Sequence, residues 1–293
     1  MNQNEVAFDL IQNFPKRTLT DSIWPVLNCR VIDSFEYRND DVIVDTYAKS
    51  GTTWVLQIVD QLKRKGQDEQ MPHFKSTVWI EHGLMSTEEK LKQLNEMKSP
   101  RLLKSHLPLN ALNYSPNVKY IYIVRHIGDV ALSMYNHFAS FTQMGRDCIK
   151  WGNQMSFDEY YPIFINGQYP FWPLCEHVKS WWDYKHLHNI LLLHYDDLKN
   201  DLRGQIKKIS EFLDYPVNDD ELSFVIEHST FDYMKANEYL FEPPPSIMEP
   251  GHFIYKGITC RWKQVLTQQQ KNDFEKICRE KWSDECRNWV NRE

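Results

Sequence analysis

Residues 42–62 read VIVDTYAKSGTTWVLQIVDQL, and the hydrophobic period changes once within them. Val42-Ile43-Val44 is a continuous β-branched run, the pattern of a strand buried on both faces. Further on, Val55, Ile58, Val59 and Leu62 recur at helical spacing and form one apolar face. The segment therefore reads as strand, tight loop, helix. Its loop, Tyr47-Ala48-Lys49-Ser50-Gly51-Thr52-Thr53-Trp54, places a lysine, a single glycine and several hydroxyls at a helix start. The first backbone amides of a helix have no partner within it, so such a loop suits a phosphate or sulfate. Gly51 permits close backbone approach, Thr52 and Thr53 add donors, Lys49 adds a mobile charge, and Trp54 offers an aromatic face to a base. For the loop alone, ordinary helix capping by Ser and Thr is the competing reading. A Walker A loop has its lysine after the second glycine, whereas Lys49 precedes Gly51, which disfavours ATP hydrolysis.

Three further apolar runs, Leu102-Leu103, Val118 to Val124 and Ile190 to Leu193, are separated by segments with helical spacing. Asp129 is expected to cap a helix running through Val130, Leu132, Met134 and Tyr135. The alternation predicts an α/β fold, a central mainly parallel sheet flanked by helices. Ligands of open α/β sheets bind beyond the carboxyl ends of the strands. Lys49, Lys104 with His106, Arg125 and Tyr195 each lie at or just after such an end. Helical patterns at 205–213 and 268–279 enclose an irregular stretch, 237–257, that contains Pro243-Pro244-Pro245, Pro250 and Gly251. It reads as a long loop, either a lid or binding segment or a passive excursion.

With 293 residues, 42% of them hydrophobic and 25% charged, the chain has the composition of a globular protein, and no linker divides it. One domain over 1–293 is expected. The net charge of −6 argues against nucleic acid as a partner. Six cysteines without a CxxC pair or metal-like spacing read as reduced thiols. The N-terminal stretch has acidic residues among its apolar ones and reads as no secretory signal, and no run reaches membrane-spanning length. A soluble cytoplasmic protein without a membrane partner is the expectation.

Six segments occur in a definite order: YAKSGTTW (47–54), RLLKSHLP (101–108), YIVRHIGDVALSMY (122–135), HYDDL (194–198), HSTFDYMKAN (228–237) and YKGITCRWK (255–263). Together they resemble the cytosolic-type sulfotransferase family over essentially the whole chain. The resemblance implies a P-loop-kinase-like sulfotransferase fold. It also implies transfer of a sulfuryl group from 3′-phosphoadenosine 5′-phosphosulfate (PAPS) to a small-molecule acceptor, leaving 3′-phosphoadenosine 5′-phosphate (PAP), with no metal required. By the same resemblance Lys49, Ser50, Gly51, Thr52 and Thr53 hold the 5′-phosphosulfate, and Trp54 and Phe231 sandwich the adenine. Arg125 and Ser133 bind the 3′-phosphate, and Tyr195 and Ser229 contact the nucleotide. His106 is the catalytic base, and Lys49 and Lys104 offset charge on the transferring group. The family's RKG before the C-terminal helix is here Tyr255-Lys256-Gly257, with Lys256, the Gly257 amide and Arg261 left to serve the 3′-phosphate. The dimerisation signature KxxxTVxxxE is degraded: Lys263 and Thr267 match, but Gln268 and Asn272 stand at the other two positions.

The acceptor is less constrained. Phe74, Trp79, Tyr135, Phe138, Phe141, Phe171, Trp172, Tyr239 and Phe241 flank the candidate residues, and Trp79 and Phe138 resemble acceptor-site aromatics of the family. A partly hydrophobic phenol or alcohol fits such walls. Glu81 beside His82 leaves open N-sulfation of an amine-bearing acceptor. An ATP-dependent small-molecule kinase and a non-catalytic nucleotide-binding protein are the alternatives from other classes.

Overall fold

Successive residues of the apolar strands enter different layers of the core, which explains why the strands are apolar throughout. The computed structural model describes residues 14–19, 27–67, 72–83, 85–149, 155–168 and 172–292. Its strands are β1 (Val42–Asp45), β2 (Thr77–Trp79), β3 (Leu102–Ser105), β4 (Lys119–Val124) and β5 (Ile190–His194). They form one sheet in the order β2-β3-β1-β4-β5 with every neighbouring pair parallel. Ile43, Leu103, Tyr120, Tyr122 and Val124 belong to one apolar cluster, and Val42, Val44, Leu102, Ile121 and Ile123 to the other. Both faces of the sheet are therefore covered, as parallel sheets require.

The second cluster is completed by α1 (Thr52–Lys63), which brings in Val55, Ile58, Val59 and Leu62 as its spacing predicts. On the first face lie α2 (Ile127–Ala139), α3 (Leu174–Trp182) and, beyond, α7 (Gln268–Lys281); Met134, Trp181 and Phe274 are among their buried residues. On the second face α4 (Leu202–Leu213) and α5 (Asp219–His228) pack beside α1, and the short α6 (Phe231–Ala236) follows α5.

Two features differ from expectation. Strand β2 escaped the sequence reading because three residues at a sheet edge are too few to display a period. The cap of α2 is His126, whose Nδ1 accepts from the Gly128 amide at 3.1 Å, and not Asp129. Asp129 already sits inside the first turn, and its carboxylate accepts from the Cys260 and Arg261 amides at 2.7 and 3.1 Å. It thereby fastens the segment before α7 to the start of α2. Residues 237–257 contain a single 3-10 turn, Glu238–Leu240, and are otherwise irregular, as expected. The six cysteines form no disulfide. In α7, Thr267 is the N-cap and Gln268 donates to Asn272 at 3.0 Å, so the two residues that depart from the dimerisation signature pair with each other. Among the described residues no helix is long and apolar enough to cross a membrane.

The register at the amino end of the sheet is held by an ion pair. Arg101 donates through Nε to Asp41 at 2.8 Å and also bonds Asp41 through its terminal nitrogen, and both residues are buried. The same guanidinium donates to the Leu94 and Glu36 carbonyls at 3.2 and 2.9 Å. Replacing one partner strands the other charge in the core, a loss of about 3–5 kcal/mol. Arg101→Met is expected to lower urea-unfolding stability by that amount; a change within about 0.5 kcal/mol would show the pair to be dispensable.

Candidate active site

At the carboxyl ends of the strands the sheet opens into a cavity of about 1020 Å³. Its wall draws on the loop after β1, the ends of β2 and β3, the start and inner face of α2, Tyr195 after β5, and the irregular segment that carries Tyr239 to Arg261. The long loop is thus a wall of the cavity. This is the sheet edge at which ligands of α/β folds collect.

The loop after β1 is built for close approach. Gly51 has φ +113°, and a Cβ there would lie 2.9 Å from the Tyr195 ring. Lys49 has φ +71°, an uncommon left-handed conformation for a residue with a side chain. Helix α1 starts without a side-chain cap, so its first amides face a wall that includes Gly51, Thr52, Thr53 and Trp54. Ser50 is buried behind the wall.

Three cations converge on the same space. Lys49, Lys104 and Arg125 all line the cavity. Burial, then the positive charges of Lys104 and Arg125, pulls the Lys49 ammonium down to about 7. Burial pulls Lys104 down to about 8, opposed by the carboxylate of Glu81. Lys104 Nζ sits 4.1 Å from the Trp79 ring centre, and the Arg125 guanidinium lies 4.3 Å from that of Tyr195. Arg125 gives one terminal nitrogen to the Ile258 carbonyl at 3.0 Å, while its buried Nε takes no partner. Cations crowded together to their mutual cost mark a site for an anion.

His106, just past β3, is held by its surroundings in one tautomer. Its Nδ1 lies 2.9 Å from the Thr46 carbonyl, which can only accept, so Nδ1 carries the proton and Nε2 the lone pair. Burial and the nearby Lys104 hold the imidazole well below its usual pKa, hence neutral. Thr46 Oγ1 stands 3.2 Å from the same nitrogen and 2.6 Å from Thr52 Oγ1, joining the histidine to the first residue of α1. Behind His106, His177 donates to its carbonyl at 3.1 Å and accepts from Tyr122 at 3.0 Å.

Glu81 lies behind the wall, not on it. Its Oε1 accepts from the His106 amide and the Trp79 indole, both at 2.6 Å, and the residue is fully buried. The expectation that Glu81 touches an acceptor is corrected accordingly: the residue is off the wall, its Oε1 braces two residues that do line the cavity, and its Oε2 is buried without a partner. His82, its ring tilted against Trp79 with centroids 4.4 Å apart, is on the wall instead.

Among the remaining sequence-derived residues, Ser133, Phe138, Phe231, Tyr255, Lys256 and Gly257 line the cavity. Ser133 lies in the second turn of α2. Ser229 is buried off the wall with an unpartnered Oγ, and its carbonyl accepts from the Trp54 indole at 2.7 Å. Gly257, at φ +60°, comes so near Phe231 that a Cβ would meet the ring at 2.6 Å. Tyr255 is flanked by Lys256 and Arg261, each cation 5.3 Å from its ring centre. Phe171 lies outside the described residues, and the side chain of Phe74 is likewise not described. The sequence reading passed over Thr46, His137 and Phe253. The only available signal was for His137, four residues after Ser133 on the same helix. Gly51→Ala is expected to destabilise the fold by about 1 kcal/mol or more through its backbone alone, and to weaken anion binding in parallel. Unchanged thermal stability would show that the loop relaxes freely.

A sulfotransferase-domain family model matches residues 39–285. Sulfotransferase 1B1 of the dog is 35% identical over 87% of this chain and 88% of its own length. Human sulfotransferase 1E1 is 34% identical over 84% of each. Among solved structures, mouse sulfotransferase SULT7A1 complexed with PAP superposes with a TM-score of 0.73 at 26% identity, covering 92% of this chain and 94% of that one. An anion-binding strand-loop-helix, a neutral histidine beside it and this breadth of similarity lead to one assignment: the chain belongs to the sulfotransferase family, and is a PAPS-dependent sulfotransferase.

Proposed function

We propose that the protein transfers the sulfuryl group of PAPS to the hydroxyl of a small, partly hydrophobic phenol or alcohol, with His106 as general base. The observation that carries this reading is the Nε2 lone pair of a neutral His106 in the same cavity as Lys49 and Lys104.

The residues present fit the donor. Arg125 lines the cavity with a buried Nε that has no partner, suited to a phosphate oxygen, and its guanidinium can fork two bonds to one phosphate. Lys256 and Arg261 on either side of Tyr255 supply positive charge at the same end. The uncapped start of α1 and Thr53 are placed for the 5′ group, and Trp54 and Phe231 offer rings to the base. In the reaction His106 Nε2 accepts the acceptor's hydroxyl proton as the acceptor oxygen bonds to sulfur. The sulfur–oxygen bond to the departing phosphate breaks in line. Lys49 and Lys104 stabilise the charge gathering on the transferred and departing oxygens.

Between O- and N-sulfation, the state of the carboxylates supports the former. Glu81 is off the wall, Asp129 is held by two backbone amides, and Glu242 accepts from the Gly251 amide at 2.9 Å. Each lining carboxylate is already engaged, while His82 is driven down to about 4 by burial and Lys104. Such a cavity favours a neutral acceptor over a cationic amine.

His106→Ala is expected to keep PAP affinity and to lose about a hundred- to ten-thousandfold in turnover, measured with labelled PAPS and a phenol. Undiminished turnover removes His106 as the base. Retained PAP binding by the unaltered protein with no turnover of any phenol, alcohol or amine indicates a nucleotide-binding protein without catalysis.

The lysines also set a pH dependence. An anion raises the pKa of Lys49 from about 7 and of Lys104 from about 8, so binding takes up protons above those values. PAP affinity is expected to fall as pH rises between about 7 and 9. Lys49→Arg, charged throughout that range, is expected to flatten the slope. A slope unchanged by that substitution would clear Lys49 of the effect.

A further inference from the structure

His137 stands on the cavity wall in the last turn of α2, and no step above uses it. Its Nδ1 lies 3.3 Å from Lys49 Nζ. Around the ring are Phe141, Phe253 and Phe138, with centroids 5.0, 5.9 and 5.8 Å away, the first two edge-on. Lys49 Nζ itself lies 5.1 Å from the Phe253 ring centre. An ammonium only donates, so the nitrogen facing Lys49 is the acceptor and a neutral ring carries its proton on Nε2. Burial, with Lys49 next, keeps the ring neutral. The phenyl rings offer Nε2–H no acceptor. The result is a fixed neutral donor, beside Lys49, in a part of the wall that is otherwise aromatic.

We propose that His137 is a specificity-determining residue. Held through Nδ1 by Lys49, it presents Nε2–H to the cavity and selects acceptors with a hydrogen-bond-accepting oxygen, such as an ether, carbonyl or ester, in addition to the hydroxyl that reacts. The inference deepens the phenol or alcohol reading and rests on it. A donor in an apolar site discriminates because an acceptor without the matching oxygen leaves Nε2–H desolvated and unpaired. The same contact makes His137 a neighbour of the transferring group, since Lys49 serves both.

The test compares 4-(2-methoxyethyl)phenol with 4-butylphenol, which differ by an ether oxygen in place of one methylene. Calorimetry reads the affinity of each for the PAP-saturated protein, which needs no turnover. The ratio of the two affinities is expected to shift toward 4-butylphenol by roughly tenfold, the worth of one neutral hydrogen bond, in both His137→Phe and His137→Leu. His137→Gln, whose amide can donate, is expected to recover part of the shift. PAP binding by each variant reports its fold. The same ratio in the unaltered protein and the folded variants overturns the inference, as does failure of the unaltered protein to bind either phenol. Binding that shifts as described, without sulfation of either phenol from labelled PAPS, contradicts the proposed reaction and leaves the role of His137 standing.

Discussion

Lys49, Lys104 and Arg125 line one cavity at the carboxyl edge of the sheet, Arg125 buried and the two lysines half-buried. Each sits on an aromatic face, Phe253, Trp79 and Tyr195 respectively, and among the described residues none forms an ion pair with a carboxylate. Keeping cations in that arrangement costs the folded protein stability, visible as lysines driven down to about 7 and 8. The rest of the site follows from this constraint. The backbone turns sharply at Lys49 and Gly51 to bring the first of them in, and Asp129 ties the segment around Arg261 to α2.

Acidic residues near the site brace it: Asp129 and Glu242 line the cavity with carboxylates that accept from backbone amides, and Glu81 lies behind the wall. Glu81 receives the His106 amide and the Trp79 indole, so two residues of the cavity wall are fixed by a single buried oxygen. Thr46 then links His106 to Thr52 at the start of α1. His106 and the loop after β1 are therefore parts of one hydrogen-bonded unit, although 60 residues separate Thr46 from His106 in the chain. Such support is what keeps a proton acceptor within productive distance of a reacting group.

The strand-loop-helix at 42–62 could be read from the chain because its hydrophobic period switches and the loop interrupts it. The convergence of Lys49, Lys104, His106, Arg125 and Tyr195 could be read as well, because parallel strands deliver their ends to one edge. Other features depend on tertiary placement. Strand β2 is too short to show alternation, and Asp129 has the chemistry of a cap but was recruited by amides 131 and 132 positions away. Glu81 and His82 are adjacent, and only the packing decides which of them meets the cavity. His137 gained its partner across 88 residues.

The central claim is that Lys49 and Lys104 form a preorganised seat for the phosphosulfate end of the donor, with Arg125 left to its 3′-phosphate. Calorimetric titration with PAP at about pH 8, repeated in buffers of different ionisation enthalpy, counts protons taken up on binding. Net uptake that shrinks in Lys49→Arg is the predicted result. Tight binding with no proton uptake would contradict the account, because it would mean that Lys49 and Lys104 do not meet the anion.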